Sequence, residues 1–311
     1  MLIDKSLPIC ITGCGGFIGS YVLDELFDRG YKHIIPLNGR HQVDLMDQNQ
    51  VEQFFSECKP VYFLSLAAKC GGITSNAGKS VDYFIENTIQ GINVLRASYN
   101  HGVKRFLLLS TICAYPSECQ TPFLESDMWN GREEVTNRAY SVAKKGLQTL
   151  LESMKPKMDG LTILLGNSFG PRDNFNKDGH IIPQIIMRVQ ECLRNNTDLV
   201  VFGDGTPTRT FTYAEDSACG IVDMFENYDG EGPVNIGSDY EISIKDTAHI
   251  ICDIMGYDKS RIKYDTSKPN GQMRRKLCID KAKLYGWQPK VDLDTGLKNT
   301  INWYLGTQCK S

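Results

Sequence analysis

Three side chains in this sequence have the types and spacing needed to manage a proton at a carbonyl. They are Thr111, and Tyr140 and Lys144 within Arg138-Ala-Tyr-Ser-Val-Ala-Lys-Lys145. A Tyr and a Lys at i and i+4 share one helical face, where an ammonium lowers the phenol's pKa and can hold a cofactor ribose. Upstream, Thr12-Gly-Cys-Gly-Gly-Phe-Ile-Gly19 joins an apolar run to a helical pattern. Glycines at such a junction permit a tight turn and let backbone N–H groups approach a pyrophosphate. The combination is equipment for hydride transfer.

Those residues need a scaffold, and the hydrophobic pattern supplies one. Short apolar runs at Pro8–Thr12, His33–Leu37, Val61–Ala67, Arg105–Leu109 and Thr162–Leu165 alternate with helix-length segments at Phe17–Asp28, Gln50–Cys58, Val81–Asn100 and Arg138–Met154. This alternation predicts an α/β fold with a Rossmann-like doubly wound parallel sheet over residues 1–168. Beyond the loop Phe169–Asn176 the rhythm changes. Helical segments at Ile182–Leu193, Ala214–Glu226, Ile244–Met255 and Leu293–Trp303 interleave with short strands at Leu199–Phe202 and Val234–Ile236. A smaller C-terminal α/β substrate-binding lobe is expected over residues 169–311, closing a cleft, with the chain free to cross between lobes.

Within the nucleotide-binding half, Gly13, Gly16 and Gly19 give G-x-x-G-x-x-G spacing, with Gly15 between. The second strand ends in Leu37-Asn38-Gly39-Arg40, without the acid that usually holds a ribose 2′-hydroxyl. Asn38 with Arg40 suits a 2′-phosphate instead; the plainer reading leaves Arg40 on a surface loop. Asp44 is expected to cap the next helix or to receive the adenine edge.

Composition excludes several other roles. The chain has 311 residues, 41% hydrophobic and 23% charged, with a net charge of −3 and no basic cluster, so no nucleic-acid footprint is expected. Its apolar runs fall short of the roughly 20 residues that span a bilayer, and the N-terminus lacks signal-peptide features, so a cytoplasmic location is expected. The eleven cysteines include no C-x-x-C pair and are read as reduced thiols, with Cys10, Cys70, Cys219 and Cys252 as small hydrophobes in apolar stretches. No metal site is expected.

Thr12–Gly19, Leu66-Ala-Ala68, Thr111 and Tyr140–Lys144 together resemble the extended short-chain dehydrogenase/reductases. Further motifs resemble one branch, the GDP-L-fucose synthases. These are Ala67-Ala-Lys-Cys-Gly-Gly-Ile73 with Asn76, Ser110–Pro116, Asn167–Phe175, His180-Ile-Ile-Pro183, Phe202–Phe211 and Ser267–Lys276. The resemblance spans essentially the whole chain.

It implies an NADP(H) cofactor held by Gly13, Gly16, Phe17, Ile18, Gly19, Arg40, Tyr140, Lys144, Asn167 and His180. It implies catalysis by Thr111, Tyr140 and Lys144, with Cys113 and His180 as an epimerising pair. Arg188, Phe202, Arg209, Arg275 and Lys276 are expected around a GDP-4-keto-deoxy sugar. A homodimer built through Val81–Asn100 and Arg138–Met154 is also implied. The chain departs from the branch at Phe202, which stands for a tryptophan, at Ser110, where glycine is frequent, and in the late lysine, displaced by one position.

The implied chemistry is coherent. A 4-keto sugar acidifies C3 and C5, and inversion needs acid/base groups on opposite faces of the ring. A thiol and an imidazole, with reference pKa values of about 8.5 and 6.5, suit that task, Cys113 as base and His180 as acid. Cys113, two residues past Thr111, is expected to face the same side of an extended strand; the bland readings make it a core filler and His180 a helix cap. A related GDP-4-keto sugar, such as a heptose or dideoxy sugar, remains an alternative substrate. A 4,6-dehydratase fits less well because Ile112, not a carboxylate, follows Thr111, and a 4-epimerase has no use for the Cys113–His180 pair. A non-catalytic NADP-sensing scaffold would have lost Tyr140 or Lys144.

Overall fold

The computed structural model describes residues 3–71, 78–176, 179–267 and 270–308. Ile73, Asn76, Lys268 and Pro269, which belong to the motifs above, lie outside them.

Five apolar runs become parallel strands: β1 (Ile9–Thr12), β3 (Tyr62–Ser65), β4 (Arg105–Thr111) and β5 (Asp159–Leu165), fully or largely buried, and the edge strand β2 (Ile34–Leu37), in which only Leu37 is buried. The period-two alternation of their side chains splits the core in two. Ile9, Ile11, Tyr62, Leu64 and Leu107 face one layer of helices; Cys10, Phe63, Phe106 and Leu108 face the other. Helices α2 (Gln48–Cys58), α3 (Ser80–Asn100) and α4 (Arg138–Glu152) cover the Cys10 face, while α1 (Phe17–Asp28) covers the Ile9 face. Helices α3 and α4 approach closely because Gly91 has no side chain where a Cβ would strike Leu147.

The sheet order is β2-β1-β3-β4-β5 and then a sixth strand, β9 (Val234–Ile236). The sequence pattern set Val234–Ile236 among the strands of the smaller lobe. Instead it pairs in parallel with Ile163–Leu165, and all three of its residues are buried. Three consecutive apolar or amide side chains, closed off on both faces, belong to a central sheet rather than to a half-exposed one. Helix α6 (Ala214–Asn227) follows the same path and packs against α1.

The rest of the chain forms a second core. In it β8 (Thr208–Tyr213) pairs with β10 (Glu241–Ser243), β12 (Arg274–Arg275) and β6 (Asn167–Phe169), and β7 (Leu199–Phe202) pairs with β11 (Ile262–Asp265). Helices α5 (Ile181–Asn195), α7 (Ile244–Met255) and α9 (Leu293–Gln308) enclose it through Ile186, Val189, Ile251, Leu297 and their neighbours; the short α8 is Asp280–Leu284.

The two sides of the large sheet part between β1 and β3, since chain order runs to β2 on one side and onward from β3 on the other. Such a switch point opens a crevice at the carboxyl ends of the strands. The Gly13–Gly19 turn, Thr111, Tyr140 and Lys144 lie along it.

Candidate active site

A cleft of about 1080 Å³ runs from the Gly13–Gly19 turn, past the ends of β3 and β4, to β7 and β8 of the smaller lobe. Gly13 adopts φ +72, and a Cβ there would lie 2.8 Å from the Ala67 backbone nitrogen. The turn is therefore glycine-dependent where β1 meets β3. Helix α1 begins at Gly16 with no side-chain cap and no acid in its first turn. Its first N–H groups are left for an anion, and a pyrophosphate fits there.

Thr111 ends β4 and Tyr140 and Lys144 lie on α4, all three on the cleft wall. The Lys144 ammonium donates to the Leu109 carbonyl at 2.9 Å and sits 6.0 Å from the centroid of the Tyr140 ring. Burial lowers the Lys144 pKa to about 8, with Cys70 opposing. Tyr140 is pushed well above its usual range, first by burial and then by Cys70 and Cys113. At Tyr140 burial dominates and favours the neutral phenol over the phenolate. A phenol that keeps its proton is a proton donor.

Cys113 reaches the cleft by a route different from the expected one. The strand stops at Thr111, and Ile112–Ala114 forms a 3-10 turn whose N-cap is Thr111. Its Oγ1 accepts the Cys113 backbone N–H at 3.2 Å, leaving the hydroxyl proton for another acceptor. The turn, not strand alternation, aims the thiol inward. Ser141 Oγ fixes the Cys113 carbonyl at 2.8 Å, and the Arg275 Nη1 lies 3.6 Å from the sulfur.

His180 occupies the N-cap position of α5 without making a side-chain cap, so the bland reading fails. Its Nδ1 lies 3.6 Å from Asp173 Oδ1, and the half-exposed ring opens onto the cleft. Desolvation lowers its pKa, but the neighbouring Asp173 carboxylate outweighs this and raises it. Asp173 is itself buried, with one oxygen accepting from the Asn174 N–H at 2.6 Å and the other unpartnered among the described residues.

Around the far end, Arg188 stacks over Phe202 at 4.4 Å, while Arg209 and Arg275 are buried on adjacent strands. Burial, then the like charge of Arg275, lowers Arg209 to about 10, with Cys113 opposing. Two guanidiniums held together so uncomfortably suit a diphosphate. Asn167 lines the cleft between lobes and donates to the Thr210 carbonyl at 3.2 Å.

Some expectations do not survive. Lys276 is absent from the cleft wall: it alternates away from Arg275, on the side where Arg274 pairs with Glu241. Asn38 packs against Gly15, and Arg40 alone of that pair lines the cleft. Asp47, not Asp44, caps α2, accepting the Asn49 N–H at 2.8 Å; Asp44 does line the cleft. Cys70 is no core filler. It opens into the cleft, where burial and its thiol neighbour raise it and Lys144 draws it down. Cys10 and Cys252 are buried as expected, and the cysteines of the described residues are free thiols. Sequence reasoning missed Asp173, Lys69 and Glu86 as site residues; Asp173 and Lys69 lay inside quoted motifs, whereas nothing local marks Glu86.

The model of the NAD dependent epimerase/dehydratase family matches residues 9–237. The chain is 34% identical over 310 residues to GDP-L-fucose synthase 1 of Arabidopsis thaliana, covering 98% of this chain and 95% of that one. It is 31% identical to GDP-L-colitose synthase of Yersinia pseudotuberculosis, over 96% of this chain and 98% of that protein. A GDP-L-fucose synthetase from Naegleria fowleri bound to NADP superposes with a TM-score of 0.88 at 26% identity, covering 100% and 98% of the two chains.

Proposed function

This chain belongs to the NAD dependent epimerase/dehydratase family, and we propose that within it the protein converts GDP-4-keto-6-deoxy-D-mannose to GDP-L-fucose by 3,5-epimerisation and NADPH-dependent 4-reduction. The observation carrying this reading is that Cys113 and His180 open onto the same cleft as Thr111, Tyr140 and Lys144. A reductase needs only the last three. The full-length similarity to proteins named GDP-L-fucose synthase supports the sugar.

NADP(H), when bound, supplies hydride to the C4 carbonyl. The glycine turn and the α1 N-terminus would hold its pyrophosphate and Lys144 its ribose. Cys113 removes the proton from C3 or C5, the resulting carbanion being delocalised into the C4 carbonyl as an enolate, and His180, whose pKa the neighbouring Asp173 raises, returns one from the opposite face. Thr111 then hydrogen-bonds the C4 oxygen while Tyr140 gives it a proton. Arg188, Arg209 and Arg275 hold the diphosphate and Phe202 covers its nucleoside.

The apolar stripe Val81, Ile85, Ile89 and Ile92 on α3, with Val142 on α4, is exposed on one face. Its mixed i, i+4 and i, i+3 spacing supports a homodimer closed through these helices, and sedimentation should give twice the chain mass.

The test is NMR of the product formed from GDP-4-keto-6-deoxy-D-mannose and NADPH in deuterated water. Deuterium at both C3 and C5 is expected, and Cys113→Ser should lose it. A reduced product free of deuterium makes the protein a 4-reductase only. Turnover of a GDP-4-keto dideoxy sugar in preference to this one would favour the relative named for colitose.

A further inference from the structure

Two cations at the nucleotide end of the cleft close on one carboxylate. Arg40, in the loop after β2, places Nη2 2.5 Å from Glu86 Oε2, and Lys69, after β3, places Nζ 2.8 Å from Glu86 Oε1. Glu86 belongs to α3 and is only 20% exposed, whereas Arg40 and Lys69 are 59% and 50% exposed. All three line the cleft, beside Asp44, which lies 3.8 Å from Arg40 Nε.

Their place in the fold gives the arrangement its meaning. With a pyrophosphate at the α1 N-terminus, the adenosine ribose of a dinucleotide lies beyond the end of the second strand. An acid at that point selects a 2′-hydroxyl, and basic side chains select a 2′-phosphate. Asn38-Gly39-Arg40 at the end of β2 carries no such acid; Asp44, further along the loop, stands 3.8 Å from Arg40 Nε, and Glu86 delivers a closer carboxylate from a helix 46 residues further along the chain. The hydrogen bond from Lys69 and the charges of Lys69 and Arg40 hold Glu86 below the usual carboxylate range against a smaller effect of burial, so it is an anion at neutral pH.

We propose that Glu86 grades the preference for NADPH over NADH by competing with the 2′-phosphate for Arg40 and Lys69. A phosphate monoester carries about −1.5 to −2 charges and three acceptor oxygens, against one charge and two oxygens for a carboxylate. It can therefore take both cations, engaging the Arg40 fork in two hydrogen bonds. Glu86 is then left facing the phosphate as a like charge, which weakens the preference that Arg40 and Lys69 create. An exposed ion pair contributes roughly 0–1 kcal/mol, so it yields readily to the phosphate, yet it is strong enough to be measured.

The test uses binding alone and is independent of the sugar and of the epimerase reading. Calorimetric affinities for adenosine 2′,5′-bisphosphate and for 5′-AMP, which differ only in the 2′-phosphate, are compared in the intact protein. Glu86→Gln keeps the size of the side chain and should raise the ratio of the two affinities by roughly two- to fivefold. Lys69→Ala should lower the ratio by a similar factor, while its 5′-AMP affinity, changed by less than about twofold, shows that the cleft is intact. A ratio that is unchanged or falls in Glu86→Gln overturns the proposal. An unchanged ratio in Lys69→Ala overturns the shared clamp.

Discussion

Lys144 and Lys145 are chain neighbours with opposite duties, and the second of them offers a sharp test of how the site is held. Lys145 turns away from the cleft to pair with Glu133 at 2.6 Å, the two side chains being 7% and 8% exposed. Its Nζ also donates to the Met128 carbonyl at 2.8 Å and lies 4.5 Å from the Trp129 ring. This cluster ties the segment before α4 to the helix that carries Tyr140 and Lys144. At a separation of 2.6 Å and an effective dielectric of about 20, the gross attraction is about 6 kcal/mol. Desolvation of two ions offsets most of that, so the pair adds little net stability. Removing one partner is different, because the remaining charge stays buried. Glu133→Ala should therefore cost about 3 kcal/mol, the low end of the usual range, since the Met128 carbonyl and Trp129 still face the ammonium. Thermal unfolding should fall by roughly 5–10 °C, with reduction slowed as α4 loosens. The double variant Glu133→Leu/Lys145→Met removes both charges and should recover to within about 1 kcal/mol of the original. Urea titrations followed by circular dichroism measure both. If the double variant is as unstable as Glu133→Ala, or the single one loses nothing, the pair is not the buried strap described.

Asp173→Asn leaves burial acting on His180 without the opposing charge, so its pKa should fall. A group with a raised pKa is protonated below it and loses its proton as pH rises through it. The alkaline limb of proton exchange at C3 and C5 should accordingly move toward lower pH, and an unmoved limb would separate Asp173 from His180. Tyr140→Phe should slow NADPH oxidation by roughly 10²–10⁴-fold while proton exchange continues; oxidation near the original rate in that variant would remove Tyr140 as the proton donor.

The sequence by itself determined the chemistry on offer and the local frame that presents it. Tyr140 and Lys144 share a helical face because 3.6 residues make a turn, and the glycines between an apolar run and a helical pattern mark a tight turn because only they tolerate its backbone. Apolar runs at β1, β3 and β4 announced a sheet covered on both faces because alternate residues all had to be buried. Tertiary structure alone decided the rest, since it depends on pairings between residues far apart in the chain. The sixth strand, Val234–Ile236, joins the large sheet by pairing with β5, which no local pattern encodes. Glu86 reaches Arg40 across 46 residues, and the Arg275 guanidinium reaches Cys113 across 162. Lys276 falls away from the cleft because pairing with β8 fixes which face of β12 turns inward. Cys113 enters the cleft because the chain leaves its strand at Thr111, a choice made by one hydroxyl accepting one backbone N–H. Residue types and short spacings carry what one turn of helix or one step of strand can impose; selecting which distant charge meets which requires the packed core that brings their elements together.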